Sequence, residues 1–146
     1  MMFMIKRVSG IGLVAVAALL VAGCGDDDDD SSSSADGGSA SNEIDATATN
    51  FEFDPASWTV NAGEEFTIDF TNDGNVEHEW AVIKLGDDLD SEADFAEDKV
   101  LFEVEAIDAG TSTSEAFTVE EAGTYQVICA INTHFNAGME GSLFVE

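Results

Sequence analysis

Basic side chains are nearly missing from this chain. Four Lys and Arg stand against 31 Asp and Glu, for a formal net charge of −27 over 146 residues. Phosphate backbones are bound through a basic footprint, so nucleic acid is excluded as a partner. Histidine is equally scarce, with His78 and His134 alone, and so is cysteine, with Cys24 and Cys129 alone. Long hydrophobic runs are absent but for Val8 to Gly23, which is shorter than the ~20 residues of a membrane-spanning helix.

Two of the four basic residues, Lys6 and Arg7, immediately precede that run. A basic start followed by a short apolar core is the pattern of an export signal, here residues 1–23. Its end, "LVAGC", resembles the bacterial lipoprotein signal, in which small residues precede a cysteine that is lipidated and becomes the new N-terminus. Val21 stands where Leu is commoner, while Ala22, Gly23 and Cys24 fit. The resemblance implies lipid attachment at Cys24 and an exported protein held on a membrane, facing the periplasm or the exterior. Without residues 1–23 only Lys84 and Lys99 remain against all 31 acids, a formal charge of −29. With Cys24 taken by lipid, Cys129 has no disulfide partner. An unpaired thiol in an exported protein is either a buried inert cysteine or a ligand.

Residues 24–43 carry five consecutive aspartates and a Ser/Gly tract, with no apolar side chain larger than alanine after Cys24. Such a segment buries too little surface to offset its ordering entropy, and it reads as a disordered, charge-extended tether. At Ile44 the composition shifts and a domain of residues 44–146 begins, large enough for one core. Its apolar period is two. In "EEFTIDFTN" Phe66, Ile68 and Phe70 share one face; in "VEHEWAVIK" His78, Trp80 and Val82 do; in "GTYQVICAI" Tyr125, Val127 and Cys129 do. Further short strands are expected in "TATNFEF", "SWTV", "LFEVEAI", "TSEAFTV" and "SLFVE", separated by the turn signals "DPAS", "NAGE", "NDGN", "DAGT" and "EAGT". The pattern predicts an all-β, antiparallel Greek-key sandwich.

One short acidic helix is expected over residues 90–99, "DSEADFAEDK", with Asp90 or Ser91 as its cap and Lys99 at its end. Its acid spacing raises calcium, but a loop started at Asp88 would put Ala93 where glycine is needed and Lys99 at the closing glutamate. It reads as a solvated surface helix.

The chemistry is concentrated in "CAINTHFNAGME", where Cys129, His134 and Met139 follow one another at five-residue steps. Cys129 ends a strand, and the following loop is long enough to turn back on its sulfur. The second imidazole, His78, lies on a distant strand whose alternation turns it inward. Taken singly, an inward His is more often a core residue, a Met core filler, and a buried Cys inert. Taken together, a sole thiol, the only two histidines and a methionine set between glycines form a joint pattern. Two imidazoles and a thiolate with a weak axial thioether are the donor set of copper electron-transfer sites.

These residues resemble the cupredoxins, the type 1 blue copper proteins, over nearly all of 44–146. "NFEFDPASWTVNAGEEFTIDFTNDGNVEHEW" is similar to the family's first strands and its approach to the first histidine, and "CAINTHFNAGMEGSLFV" to its ligand loop and last strand. The Cys-x4-His-x4-Met spacing is nearest to the auracyanin type. The resemblance implies that one copper ion is bound by His78, Cys129, His134 and Met139, the last axially. It also implies an electron port at the edge of His134, with Ile131, Phe135, Ala137 and Gly138 around it. Two departures touch the surroundings of the metal. Relatives often have Pro-Gly before the loop histidine, where Asn132 and Thr133 stand here, and Asn132 would supply an N–H toward the sulfur. Asn often follows the first histidine, where Glu79 stands.

The function expected is a lipid-anchored, monomeric carrier of single electrons, with a cytochrome, an oxidase or another redox protein as partner. Its acids would either steer a basic partner face or serve a saline habitat. The alternative is a copper-binding protein for storage or delivery. An enzyme is not expected: an oxidase would need further histidines, and a dinuclear copper centre a second domain cysteine.

Overall fold

A computed structural model describes residues 39–146, so the expected export signal 1–23, the lipid site at Cys24 and most of the tether lie outside the described residues. Nine strands form two packed sheets: β1 (Glu43–Thr49), β2 (Glu52–Asp54), β3 (Ser57–Val60), β4 (Glu65–Asn72), β5 (His78–Ile83), β6 (Val100–Ile107), β7 (Ser112–Thr118), β8 (Gly123–Ile128) and β9 (Glu140–Val145). The first sheet has the order β2-β1-β4-β7, and the second β3-β9-β8-β5-β6. The period-two reading holds on the inner faces. Phe66, Ile68 and Phe70 of β4 meet Trp80 and Val82 of β5, Tyr125 and Val127 of β8, and Trp58 of β3 in one core.

The expectation of antiparallel pairing needs correction. β1 runs parallel to β4, with Asp45 beside Asp69, and β3 runs parallel to β9, with Trp58 beside Leu143. Alternation specifies which side chains face inward; it carries no information about strand direction, and the sandwich is mixed.

The acidic helix also needs correction. Residues 90–99 hold two single turns of 3-10 helix, Glu92–Asp94 and Glu97–Lys99, with Phe95 and Ala96 extended between them. Asp90, Asp94 and Asp98 would be stacked at i, i+4 spacing in a helix, a like-charge arrangement that destabilises it. Ser91 stands at the cap position without a capping bond. Phe95 instead packs on a second cluster formed by Ala81, Ile83, Leu89, Ile128 and Phe135. The segment between β5 and β6 therefore covers the outer face of the second sheet, which is why Ala81 and Ile83 are as buried as Trp80 and Val82.

Candidate metal centre

The site lies at one end of the second sheet. His78 is the first residue of β5, Cys129 follows the last residue of β8, and Met139 precedes β9. β5 and β8 are adjacent and antiparallel, with Ala81 opposite Ile128, so the start of one and the end of the other share an edge. The loop 129–139 returns on itself through a run of backbone bonds. His134 N–H donates to the Ile131 carbonyl at 3.0 Å, Met139 N–H to the His134 carbonyl at 3.1 Å, and Cys129 N–H to the Met139 carbonyl at 3.3 Å. Those last two bonds tie Met139 to the histidine and the cysteine on either side.

The side chains converge. Cys129 Sγ lies 3.3 Å from His134 Nδ1 and 3.9 Å from His78 Nδ1, and one donor atom from each of the three residues falls within 4.8 Å of the others. The imidazole centroids are 4.9 Å apart. His78, Cys129 and Met139 are fully buried, and His134 is 7% exposed. The two imidazoles and the thiol singled out in the sequence thus meet at one end of the sandwich, and Met139 is buried in the same core and held in the same loop by its backbone bonds.

Burial sets the charge states. The Cys129 thiol is pushed up to about 11, first by desolvation and further by the charges of Glu79 and Glu77, while N–H groups of Glu79 and Ile131 work in the opposite direction. Both imidazoles are lowered from their ordinary value, chiefly by burial, with His134 adding to the effect at His78. The metal-free site therefore holds neutral imidazoles and a protonated thiol. A cation would offset the cost of a buried thiolate, and two nitrogens with one sulfur fit copper.

The surroundings differ from the sequence reading in three places. The N–H that reaches the sulfur from outside the loop belongs to Glu79, at 3.5 Å, rather than to Asn132. The Glu79 carboxylate accepts the Ala130 N–H at 2.7 Å, so glutamate itself joins the two ligand strands. Phe135 is withdrawn from the expected surface patch and buried in the second cluster, because its ring fills the space beside Leu89 and Ile128. Its place beside the copper ligands is taken by Phe51, 39% exposed, whose ring lies 4.8 Å from that of His134.

Asn50 went unread in the sequence. Its Oδ1 lies 3.1 Å from His78 Nε2 and accepts the Asn75 N–H at 3.0 Å. The oxygen can only accept, so Nε2 carries the proton and the Nδ1 lone pair is left facing the sulfur. Buried Asn72 supports this arrangement by donating to the Val76 and Ile107 carbonyls and accepting the Gly74 N–H. The approach is close: a Cβ on Gly74 would fall 2.5 Å from Asn50 Oδ1 and 2.7 Å from His78 Nε2. Asn50 sits in the turn between β1 and β2, and no pattern in the sequence marks it.

A β-sandwich with a sealed two-imidazole, one-thiol site at the end of one sheet is the architecture of the type 1 blue copper electron-transfer proteins. The chain belongs to the copper-binding proteins of the plastocyanin/azurin family, whose sequence pattern matches residues 40–146. Its cofactor is a single copper ion. Among relatives, Auracyanin-A of Chloroflexus aurantiacus is 29% identical over 157 residues, covering 95% of this chain and 96% of that protein. Auracyanin-B of the same organism is 29% identical over 119 residues, or 70% of this chain and 51% of the relative. The copper-resistant cuproprotein CopI of Rubrivivax gelatinosus is 32% identical over 100 residues, 64% of this chain and 59% of CopI. The chain thus spans only about half to three-fifths of those two relatives. The solved structure of auracyanin A superposes with a TM-score of 0.60 at 27% identity, over 71% of this chain and 98% of that one.

Proposed function

We propose that this protein carries single electrons between redox proteins outside the cytoplasmic membrane, held there by a lipid on Cys24. His78 and His134 would hold copper through Nδ1 and Cys129 through its thiolate, with Met139 as the fourth donor. The observation that carries this reading is the approach of both Nδ1 atoms to the one buried thiol, at 3.3 and 3.9 Å. Bound copper would supply a one-electron Cu(II)/Cu(I) couple. The protein supplies a fixed donor set drawn from two strands and a loop, closed to water, so little has to move when the charge changes.

The route for electrons is the His134 edge. Phe51 lies against it, and Val76, Ala137 and Gly138 are exposed on the adjoining loops. The acidic remainder favours a partner with a basic face, such as a cytochrome or an oxidase, at an encounter rate that falls with salt. The signal-like residues 1–24 support the anchored location.

Addition of Cu(II) is expected to give an intense thiolate band in the visible that bleaches with reductant and is missing in Cys129→Ser. A colourless protein that takes only Cu(I) would defeat the carrier reading. Labelled fatty acid should enter the full chain in a bacterial host and fail to enter Cys24→Ala. Storage or delivery of copper draws support from the resemblance to CopI. Against it, three of the four donors are fully buried and offer no open position for hand-over. Slow copper exchange with fast, reversible voltammetry decides for the carrier.

A further inference from the structure

The geometry points to Glu92 as a positioning residue that holds the copper-binding loop in its ligating form before any metal arrives. Glu92 lies in the first 3-10 turn after β5, 41 and 44 residues before the loop positions it contacts, and grips the loop on both sides of His134. Its Oε1 accepts the Thr133 N–H at 2.7 Å. Its Oε2 accepts Asn136 Nδ2–H at 3.0 Å, and its own N–H donates back to Asn136 Oδ1 at 3.2 Å. One residue thus makes three bonds to the two positions that flank the ligand at 133 and 136.

The grip falls where the chain needs it. Thr133 has φ of +78°, the sole positive φ of a non-glycine among the described residues. A β-branched side chain is strained in that left-handed region, and left alone the residue would relax to negative φ and swing His134 with it. A charge-assisted bond to its N–H opposes that relaxation. The turn that presents Glu92 is itself seated, because Leu89 and Phe95 on either side of it pack on the second cluster with Phe135 of the same loop. This explains a use for the irregular 84–99 segment that solvation of its acids does not.

The inference rests on His134 as a copper ligand, and two measurements on the full chain keep the two claims apart. In the metal-free protein, Glu92→Ala should speed amide exchange of Thr133 and its loop neighbours at least about tenfold, with the amides of β5 and β8 unchanged. Glu92→Gln, which keeps a carbonyl oxygen for the Thr133 N–H, should retain most of the protection. In the copper-loaded protein, Glu92→Ala should slow electron self-exchange several-fold while the visible band persists. Loop exchange equal to the parent, equal loss of protection across β5 and β8, or a loosened loop with unchanged self-exchange would each overturn the inference. A parent chain that takes up no copper would instead sink the metal assignment, and the amide measurement would still report on the clamp.

Discussion

Both imidazoles present Nδ1 to the sulfur, and for His78 a single amide decides which nitrogen is free. Removing Asn50 takes away the acceptor that holds the proton on Nε2, so Nδ1 loses its fixed lone pair. Asn50→Ala is expected to weaken copper binding about 10- to 100-fold, measured by competition with a chelator. Gly74→Ala should do similar damage, because its methyl would displace the same oxygen. Cys129 gives a second prediction. With the thiol raised to about 11 and both imidazoles lowered, the metal-free site near pH 8 holds one removable proton. Copper uptake should release about one proton per ion, and affinity should rise about tenfold per pH unit between roughly pH 7.5 and 10. Release of two protons in a pH-stat titration would mean that a histidine also starts out charged. At this scale the two imidazoles and the thiol that meet were legible because histidine and cysteine are rare in the sequence, whereas Asn50 and Glu92 were not. Common polar residues acquire a role only from where the fold places them.

At the scale of elements, β5 and β8 are joined at the site by the Glu79 carboxylate and Ala130 N–H, and the Glu79 N–H points to the sulfur. The sequence flagged Glu79 as a departure, and the structure shows it making the tie itself. What glutamate adds is a negative charge beside the metal, which favours Cu(II) over Cu(I) and lowers the reduction potential. Glu79→Gln keeps an acceptor for Ala130 and removes the charge, so the potential should rise by an amount on the order of tens of millivolts. Desolvation raises this carboxyl above its ordinary value. The difference between variant and parent should therefore shrink as pH falls through that elevated pKa, where the parent too becomes neutral. A redox titration that finds equal potentials at high pH would remove Glu79 from the tuning of the site. The nine strands were largely readable from alternation and turn residues, down to the inward face of each ligand strand. The parallel pairs β1–β4 and β3–β9 were not, since direction is set by connections across the sandwich. The 90–99 segment reads as a helix from its favourable end charges, and the aspartates stacked at four-residue spacing are what that reading leaves out.

Over the whole molecule, charge of one sign is the dominant feature, and the acids occupy the outward positions of both sheets. Glu43, Asp45 and Asp69 lie on the first sheet and Glu103 and Glu105 on the second, while Glu115 of edge strand β7 is opposite inward-facing Ile68. This spread agrees with general repulsion across the domain better than with one docking patch. Parallel pairing sharpens it locally, since Asp45 and Asp69 are direct neighbours in the β1–β4 register. Like charges side by side on adjacent strands are unfavourable, and an opposite pair there is mildly favourable. Asp45→Lys should therefore stabilise the domain at low ionic strength by about 0.5–1 kcal/mol, after allowance for exposure to solvent. The main-chain carbonyl of Asp45, which accepts Trp58 Nε1–H at 2.8 Å, is untouched by the change. The parent should itself gain stability as salt is added, and near 1 M, where the screening length is about 3 Å, parent and variant should converge. Thermal unfolding of the copper-free proteins across a salt series tests both halves. A gain that persists unchanged in high salt would show that packing or strand propensity, rather than repulsion between the two aspartates, limits the first sheet.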